Sequence, residues 1–199
     1  GYLNQGGVVV KSGLERLTGR LSANTKALND RLEIAVSLTA SKIEDQFAPI
    51  ANNAGFEGDL LGSALQANPT QPIFDTNGDI FQASDFRNPV ALSTYTDDFA
   101  ETTRLLANIS ATLHLTDALK YRLTYGYDDA TGVRRFDRDV RLLVVGQDPG
   151  FGVIATGDNS NQLIEHTLNL DTEVGGNSLQ AIVGFSYQKF DSRGSFASV

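Results

Sequence analysis

The sequence predicts an all-β fold, a single antiparallel sheet of long strands joined by short turns at one end and long connections at the other. Three observations carry this reading. Apolar and polar residues alternate with a period of two over stretches well beyond the usual 5 or 6 residues of globular strands. The stretches come in pairs around short turns rich in Asn, Asp and Gly. Only one short segment shows a helical period.

The first pair is the most regular. Leu17, Gly19, Leu21, Ala23, Thr25 and Ala27 alternate with Arg16, Thr18, Arg20, Ser22, Asn24 and Lys26. After a turn at Leu28-Asn29-Asp30, the face Leu32, Ile34, Val36, Leu38, Ala40 alternates with Glu33, Ala35, Ser37, Thr39, Ser41. A helix would scatter these residues around its axis, whereas a strand puts each set on one side. The second pair sets Leu105, Ala107, Ile109, Ala111 and Leu113 before a Thr116-Asp117-Ala118 turn, with Leu119, Tyr121, Leu123, Tyr125 and Tyr127 after it. The third pair runs Ile164, His166, Leu168, Leu170, turns within 172–177, and returns through Leu179, Ala181, Val183, Phe185 and Tyr187. The expected strands are about 14–27, 31–44, 101–115, 118–128, 160–171 and 178–190, with long connections at about 45–100 and 129–159.

Composition narrows the class. Lys and Arg number 16 against 24 Asp and Glu, and this net charge of −8 disfavours a nucleic-acid binder. The absence of Cys excludes disulfides, thiolate zinc sites and a Cys nucleophile. No run of about 18 apolar residues exists, so no spanning helix is expected. A spanning β-barrel is allowed, because its strands are apolar on one face only.

The asymmetry of the connections favours that barrel. Compact domains rarely carry long structureless connections, whereas outer-membrane barrels pair short periplasmic turns with long external loops. Tyr125, Tyr127, Phe185 and Tyr187 fall toward the long-loop ends of their strands, where an aromatic girdle meets the lipid interface. Arg16, Arg20, Lys26, Arg104, Lys120 and Arg122 fall on the opposite face, which is expected to line the lumen. The alternative is a soluble secreted β-sandwich ligand-binding module, whose apolar face meets a second sheet. Six strands fall short of the roughly eight that close a small barrel. The chain also starts at Gly1 without an initiator Met and ends at Val199 without a polar tail. It is therefore expected to be a segment of a longer barrel.

Particular phrases carry a family resemblance. Gly1-Tyr2-Leu3-Asn4-Gln5-Gly6-Gly7, then Ser12-Gly13-Leu14-Glu15-Arg16, resembles the "YLNQEG…SGFERF" phrase of SusC/RagA-type TonB-linked outer-membrane proteins. The strand Arg20-Leu21-Ser22-Ala23-Asn24 is similar to their "RLNLD". The stretch from Leu61 to Pro72 resembles their "ALQMNPTLPV" loop, and Asn88-Pro89-Val90-Ala91-Leu92 their "NPVALL". Ile164-Glu165-His166-Thr167-Leu168 and Gly184-Phe185-Ser186-Tyr187-Gln188 are similar to "ENTLTY" and "GYSYQ". The phrases keep the family's order over nearly the whole chain. The resemblance implies a plugged barrel, 22-stranded in this class, in a bacterial outer membrane of the Bacteroidetes kind. It implies TonB-dependent import of glycans, peptides or similar large nutrients with a SusD-like surface lipoprotein. TonB–ExbB–ExbD would be engaged through parts outside this chain, and outer-membrane lipid would surround the barrel. No cofactor is implied.

Candidate residues follow from chemistry. The long connections hold aromatics able to stack on sugar or peptide: Phe56, Phe81, Tyr95, Phe136 and Phe151. Arg134, Arg135 and Arg138 flank Phe136 and suit an anionic ligand or a partner's carboxylates. The alternative for each is self-packing of the loop. Asp75, Asn77 and Asp79 alternate as in the first half of a Ca²⁺ loop, but the Glu expected further on is replaced by Phe86, which favours a turn centred on Asn77-Gly78. A helix is expected over 58–66, capped by Asp59 and apolar at Leu60, Leu61, Ala64 and Leu65. Asp97-Asp98 and Asp128-Asp129 could suggest acid–base chemistry, yet adjacent acids at strand ends are more often solvated. His114 and His166 are expected to be structural, and no enzymatic motif is present.

Overall fold

A computed structural model describes residues 1–50, 60–83, 88–143 and 150–199. Seven strands form one sheet: β1 (Tyr2–Gly6), β2 (Gly13–Ala27), β3 (Leu32–Gln46), β4 (Thr96–His114), β5 (Leu119–Arg138), β6 (Phe151–Val174) and β7 (Asn177–Ser198). Every strand pairs antiparallel with its neighbour in sequence, so the sheet order is β1 to β7 without a crossover. Two short helices, α1 (Leu60–Gln66) and α2 (Pro89–Thr94), lie in the β3–β4 connection.

The register converts sequence alternation into two continuous surfaces. Leu38 of β3 lies opposite Leu21 of β2 and Ala107 of β4, and Ala107 opposite Tyr127 of β5. Ile164 of β6 lies between Tyr125 of β5 and Tyr187 of β7. Directly paired residues share a face, so the apolar sets from β2 to β7 merge into one band. In each of β3, β4, β5 and β7 the band covers about nine residues, from the short turn up to Ala40, Leu105, Tyr127 and Tyr187. Nine to eleven residues is what a tilted strand needs to cross a bilayer. The tyrosines end the band, and Lys42, Asp129 and Lys189 follow at once on the same face. One slip of register would carry every member of the band to the other side, which is why the apolar pattern fixes the pairing.

The strands do not stop where the band stops. β5 continues to Arg138, β6 begins at Phe151, and β7 runs to Ser198, so the sheet extends roughly 35 Å beyond the band. Here the structure departs from the sequence expectation in three ways. There are seven strands instead of six, the added one being β1. Residues 129–138 and 151–159 are strand, which shrinks the connection expected at 129–159 to residues 139–150. β7 passes its expected end at 190. The reason is common to all: beyond the band neither face is continuously apolar, so the regular two-residue contrast that betrays a strand is lost although the ladder continues. No second sheet exists among the described residues, so the sandwich packing is not formed.

The turn end is tight. Val174 and Asn177 pair across Gly175 and Gly176, whose φ values of 59° and 80° are those of a two-residue hairpin turn open to glycine. Between β2 and β3, Leu28, Asn29 and Asp30 all hold positive φ (53°, 53° and 65°). Asn and Asp tolerate this backbone, but Leu does so at a cost of roughly 1–2 kcal/mol. Replacing the exposed Leu28 by Asn is expected to raise stability by about 1 kcal/mol, read as a higher urea midpoint with an unchanged slope; an unchanged midpoint would show that the Leu backbone there carries no strain.

Candidate functional site

The candidate functional region lies at the loop end, where the connections fold into a small cap over the inner, polar face of the sheet. Its core among the described residues is Leu60, Ala91, Leu92 and Leu142, with Val9, Ala48, Ile80 and Tyr95 packed against it. Three separate connections supply these residues. Asn88 caps α2 by accepting from the Val90 N–H at 2.8 Å, while its amide donates to the Phe81 carbonyl at 2.6 Å. The Lys11 ammonium reaches the Thr94 carbonyl at 3.0 Å and the Asp97 carboxylate at 2.8 Å, fixing the 7–12 turn to the end of α2. The Gln82 side chain donates to the Arg141 carbonyl (2.8 Å) and accepts from the Leu143 N–H (2.9 Å), stapling the 139–143 turn to the β3–β4 connection.

The structure separates the sequence candidates into groups. Tyr95 closes α2, its carbonyl accepts from Asp139, and the Arg141 guanidinium stacks on its ring at 4.6 Å. It is half-buried and part of the cap. Phe81 is half-buried in the same assembly and pairs its N–H with the Ile73 carbonyl. Phe56, together with Gly58, Asp59 and Phe86, lies outside the described residues. Arg134, Phe136 and Arg138 stand on β5, not in a loop, and share the inner face with Phe151 of β6. Arg134 makes a two-pronged ion pair with the buried Asp98 (2.8 and 2.7 Å) and covers the Phe47 ring at 4.7 Å. Phe136 and Phe151 meet edge to face at 6.1 Å, and the Arg138 guanidinium lies 5.5 Å from the Phe151 centroid. Arg135 points to the opposite face, 3.5 Å from Glu101.

The other candidates resolve into structural roles. Asp75 accepts from the N–H groups of Asn77 (2.8 Å) and Asp79 (3.1 Å) within a turn closed by the Phe74–Ile80 bridge. Both bonds fall on Asp75 Oδ1 and form the turn around Asn77-Gly78. In α1 the buried residues are Leu60 and Ser63, while Leu61 and Leu65 are exposed. The expected apolar stripe is therefore only partly used. Neighbouring acids diverge because strand neighbours face opposite ways: Asp97 takes Lys11 and Asp98 takes Arg134. Asp128 takes Arg104 and Asp129 accepts from the Tyr127 hydroxyl. His114 lies on the inner face, 3.7 Å from Glu33, whereas His166 lies on the apolar face, bonded to the Tyr121 hydroxyl. No histidine–carboxylate pair at the rim results.

Deeper along the inner face, Arg16, Arg20 and Arg104 line an open groove of about 740 Å³ with Thr18, Thr39 and Ser41. All six basic residues expected on the lumenal side, Lys26, Lys120 and Arg122 included, do share that face. The sequence reading missed Phe190 and Phe196, inner-face aromatics of β7 that are 70% and 79% exposed. Their even-numbered positions, continuing Gly184, Ser186 and Gln188, would have placed them had the strand been followed past 190.

No protein-family model matches the chain. Over 202 residues it is 28% identical to the TonB-dependent receptor P3 of Formosa agariphila, covering 98% of this chain and 20% of that protein. The RagAB peptide importer in its closed-closed state superposes with a TM-score of 0.78 at 17% identity, over 99% of this chain and 23% of that one. In the open-open state the TM-score is 0.80 at 17% identity, over 99% and 22%. The chain thus spans about a fifth of the length of these relatives. The resemblance to SusC/RagA-type TonB-linked proteins holds along the whole chain, and the fold is that of a stretch of their antiparallel barrel.

The 139–143 turn offers a direct test. The Asp139 carboxylate accepts from the Arg141 guanidinium (2.9 and 2.6 Å) and from its N–H (2.9 Å), which lowers its pKa from 3.8 to about 2. A depressed carboxylate stabilises the turn fully above its unfolded pKa, and that contribution is lost as pH falls through about 2. Carboxyl NMR should show Asp139 titrating near 2 and returning toward 3.8 in R141A; a normal value in the unsubstituted protein would show that this clip does not form in solution.

Proposed function

We propose that the chain is part of the barrel wall of an outer-membrane, TonB-dependent nutrient importer of the SusC/RagA type. One observation carries the reading: a continuous apolar band about nine residues tall, on one face of a meander of very long strands, ended by tyrosines. A soluble protein would have to cover such a face, and no described residue covers it. The whole-chain likeness to a TonB-dependent receptor and to the RagAB peptide importer supports the same conclusion.

In this reading outer-membrane lipid lies against the apolar face, the turns at 28–31, 115–118 and 175–176 face the periplasm, and the cap faces outward. A SusD-like lipoprotein closes over the cap and the projecting strands, and solute passes along the inner face. TonB–ExbB–ExbD supply energy through regions beyond this chain. The segment itself performs no bond chemistry. Its task is to hold a polar, basic wall beside the solute and an apolar wall beside lipid, with the cap setting the shape of the mouth. The solute is a large nutrient such as a glycan or a peptide.

The full-length protein is expected in the outer-membrane fraction, shifting its gel mobility on boiling and co-purifying in mild detergent with a surface lipoprotein. A soluble species indifferent to detergent would overturn the reading. A finer test uses the two faces. Val36 sits at mid-height of the band and Ser37 on the inner face. V36R should cost about 2–4 kcal/mol in vesicles, and S37R much less, measured by urea unfolding of the refolded full-length protein. Equal effects would mean that the band does not meet lipid.

A further inference from the structure

The β1–β2 connection, residues 7–12, is folded on itself and meets the cap through two side chains. Gly7 donates its N–H to the Ser12 carbonyl at 2.7 Å, and Ser12 gives its N–H (3.2 Å) and its hydroxyl (2.6 Å) to the Val9 carbonyl. A side chain at Gly7 would run into the Ser12 hydroxyl, so the loop closes in this way only around glycine. Val8 and Val10 are exposed, while Val9 packs against the cap core. Lys11 supplies the second contact. Its φ of 57° lies in the left-handed region, which a residue with a Cβ seldom adopts. That backbone carries the ammonium to three oxygens of one short stretch: the Thr94 carbonyl (3.0 Å), the Thr96 carbonyl (3.5 Å) and the Asp97 carboxylate (2.8 Å).

We propose that the 7–12 loop is a releasable strap, latched on the cap in this structure by Lys11 and free to lift off when the ammonium leaves the oxygens of Thr94, Thr96 and Asp97. The junction between α2 and β4 is held from two sides, and the two holds differ in kind. Arg134 grips the buried Asp98 with two parallel bonds, a rigid and directional pair. Lys11 makes a single-point contact through a flexible stem to a carboxylate that is 48% exposed, so dissolved salt screens it. Lys11 is therefore the hold that gives way first. Its strained backbone sets the direction, because release lets the residue relax out of the left-handed region, and such stored strain is typical of switch segments. The bonds inside the loop do not involve the cap, so the loop lifts as a unit. Gly6 and Gly13, paired where β1 ends and β2 begins, give it a pivot. Lifting bares the part of the cap core that Val9 covers and leaves α2 less firmly held, with the sheet and the Arg134–Asp98 pair unchanged.

The test is hydrogen exchange on the full-length protein in detergent. The Leu92 and Tyr95 N–H groups, bonded to the Asn88 and Ala91 carbonyls, report on the cap. K11A is expected to speed their exchange roughly tenfold and to leave peptides from β3 and β4 unchanged. Raising salt from about 50 mM to about 500 mM is expected to speed the same amides in the unsubstituted protein and to do nothing further in K11A. K11G, which removes the strain as well as the ammonium, is expected to be no more stable to heat than K11A, since both release the loop. Cap exchange unchanged in K11A, a salt response that persists without Lys11, or faster exchange throughout β3 and β4 would overturn the strap. So would a K11G variant more stable than K11A, because the left-handed backbone would then persist without its tie. Boiling-dependent gel mobility checks that each variant is folded, and if K11A is not, the presence or absence of the salt response in the unsubstituted protein decides. The importer reading is judged separately, by membrane location and lipoprotein co-purification, and survives each of those outcomes.

Discussion

The backbone ladder is what everything else in this protein depends on. From β2 to β6 each strand has partners on both sides, so its N–H and C=O groups are satisfied within the sheet. Backbone left unpaired in an apolar surrounding costs several kcal/mol for each group, and a meander of neighbours is the simplest way to avoid that with strands alone. With the polar backbone accounted for in this way, side chains are released for opposite duties on the two faces. Leu, Ile, Val and Tyr gather on one, and Arg, Lys, Asn, Ser and Thr on the other.

No second layer covers either face of the sheet among the described residues, so the sheet has no core of its own there. The buried apolar residues belong to the cap instead, at Leu60, Ala91, Leu92 and Leu142. There stability comes in the ordinary way, by burial, helix capping and loop-to-loop hydrogen bonds. Asn88, Lys11 and Gln82 each join segments far apart in sequence, and the Arg134–Asp98 pair secures the cap to the sheet. The projecting parts of β5, β6 and β7 form a wall beside it, which carries the exposed phenyl rings. Wall and cap are joined by the Arg134–Asp98 pair and by the 139–143 turn.

The candidate site was only partly legible. The basic inner face could be read from Arg16, Arg20 and Arg104, since strict alternation assigns each to a side. Arg134, Phe136 and Phe151 were singled out as loop residues, but they stand on strands. Their placement on one face of adjacent strands depends on register, which only pairing reveals. That Tyr95 closes α2 and carries Arg141 over its ring depends on contacts that no local pattern encodes. Phe190 and Phe196 escaped notice because the strand seemed to end where its apolar contrast ended.

The sequence by itself determined the all-β class, the two-faced sheet, the three short turns and the family resemblance. Each of these is written locally, in a period of two, in turn residues or in short phrases. Tertiary structure decided the seventh strand, the lengths of β5 to β7, and which candidates became cap and which became wall. Those outcomes rest on hydrogen bonds between backbones, which any residue but proline can make and which leave no mark on composition. They rest also on contacts such as Gln82 with Arg141, whose partners are separated by two whole strands and whose meeting no local pattern encodes.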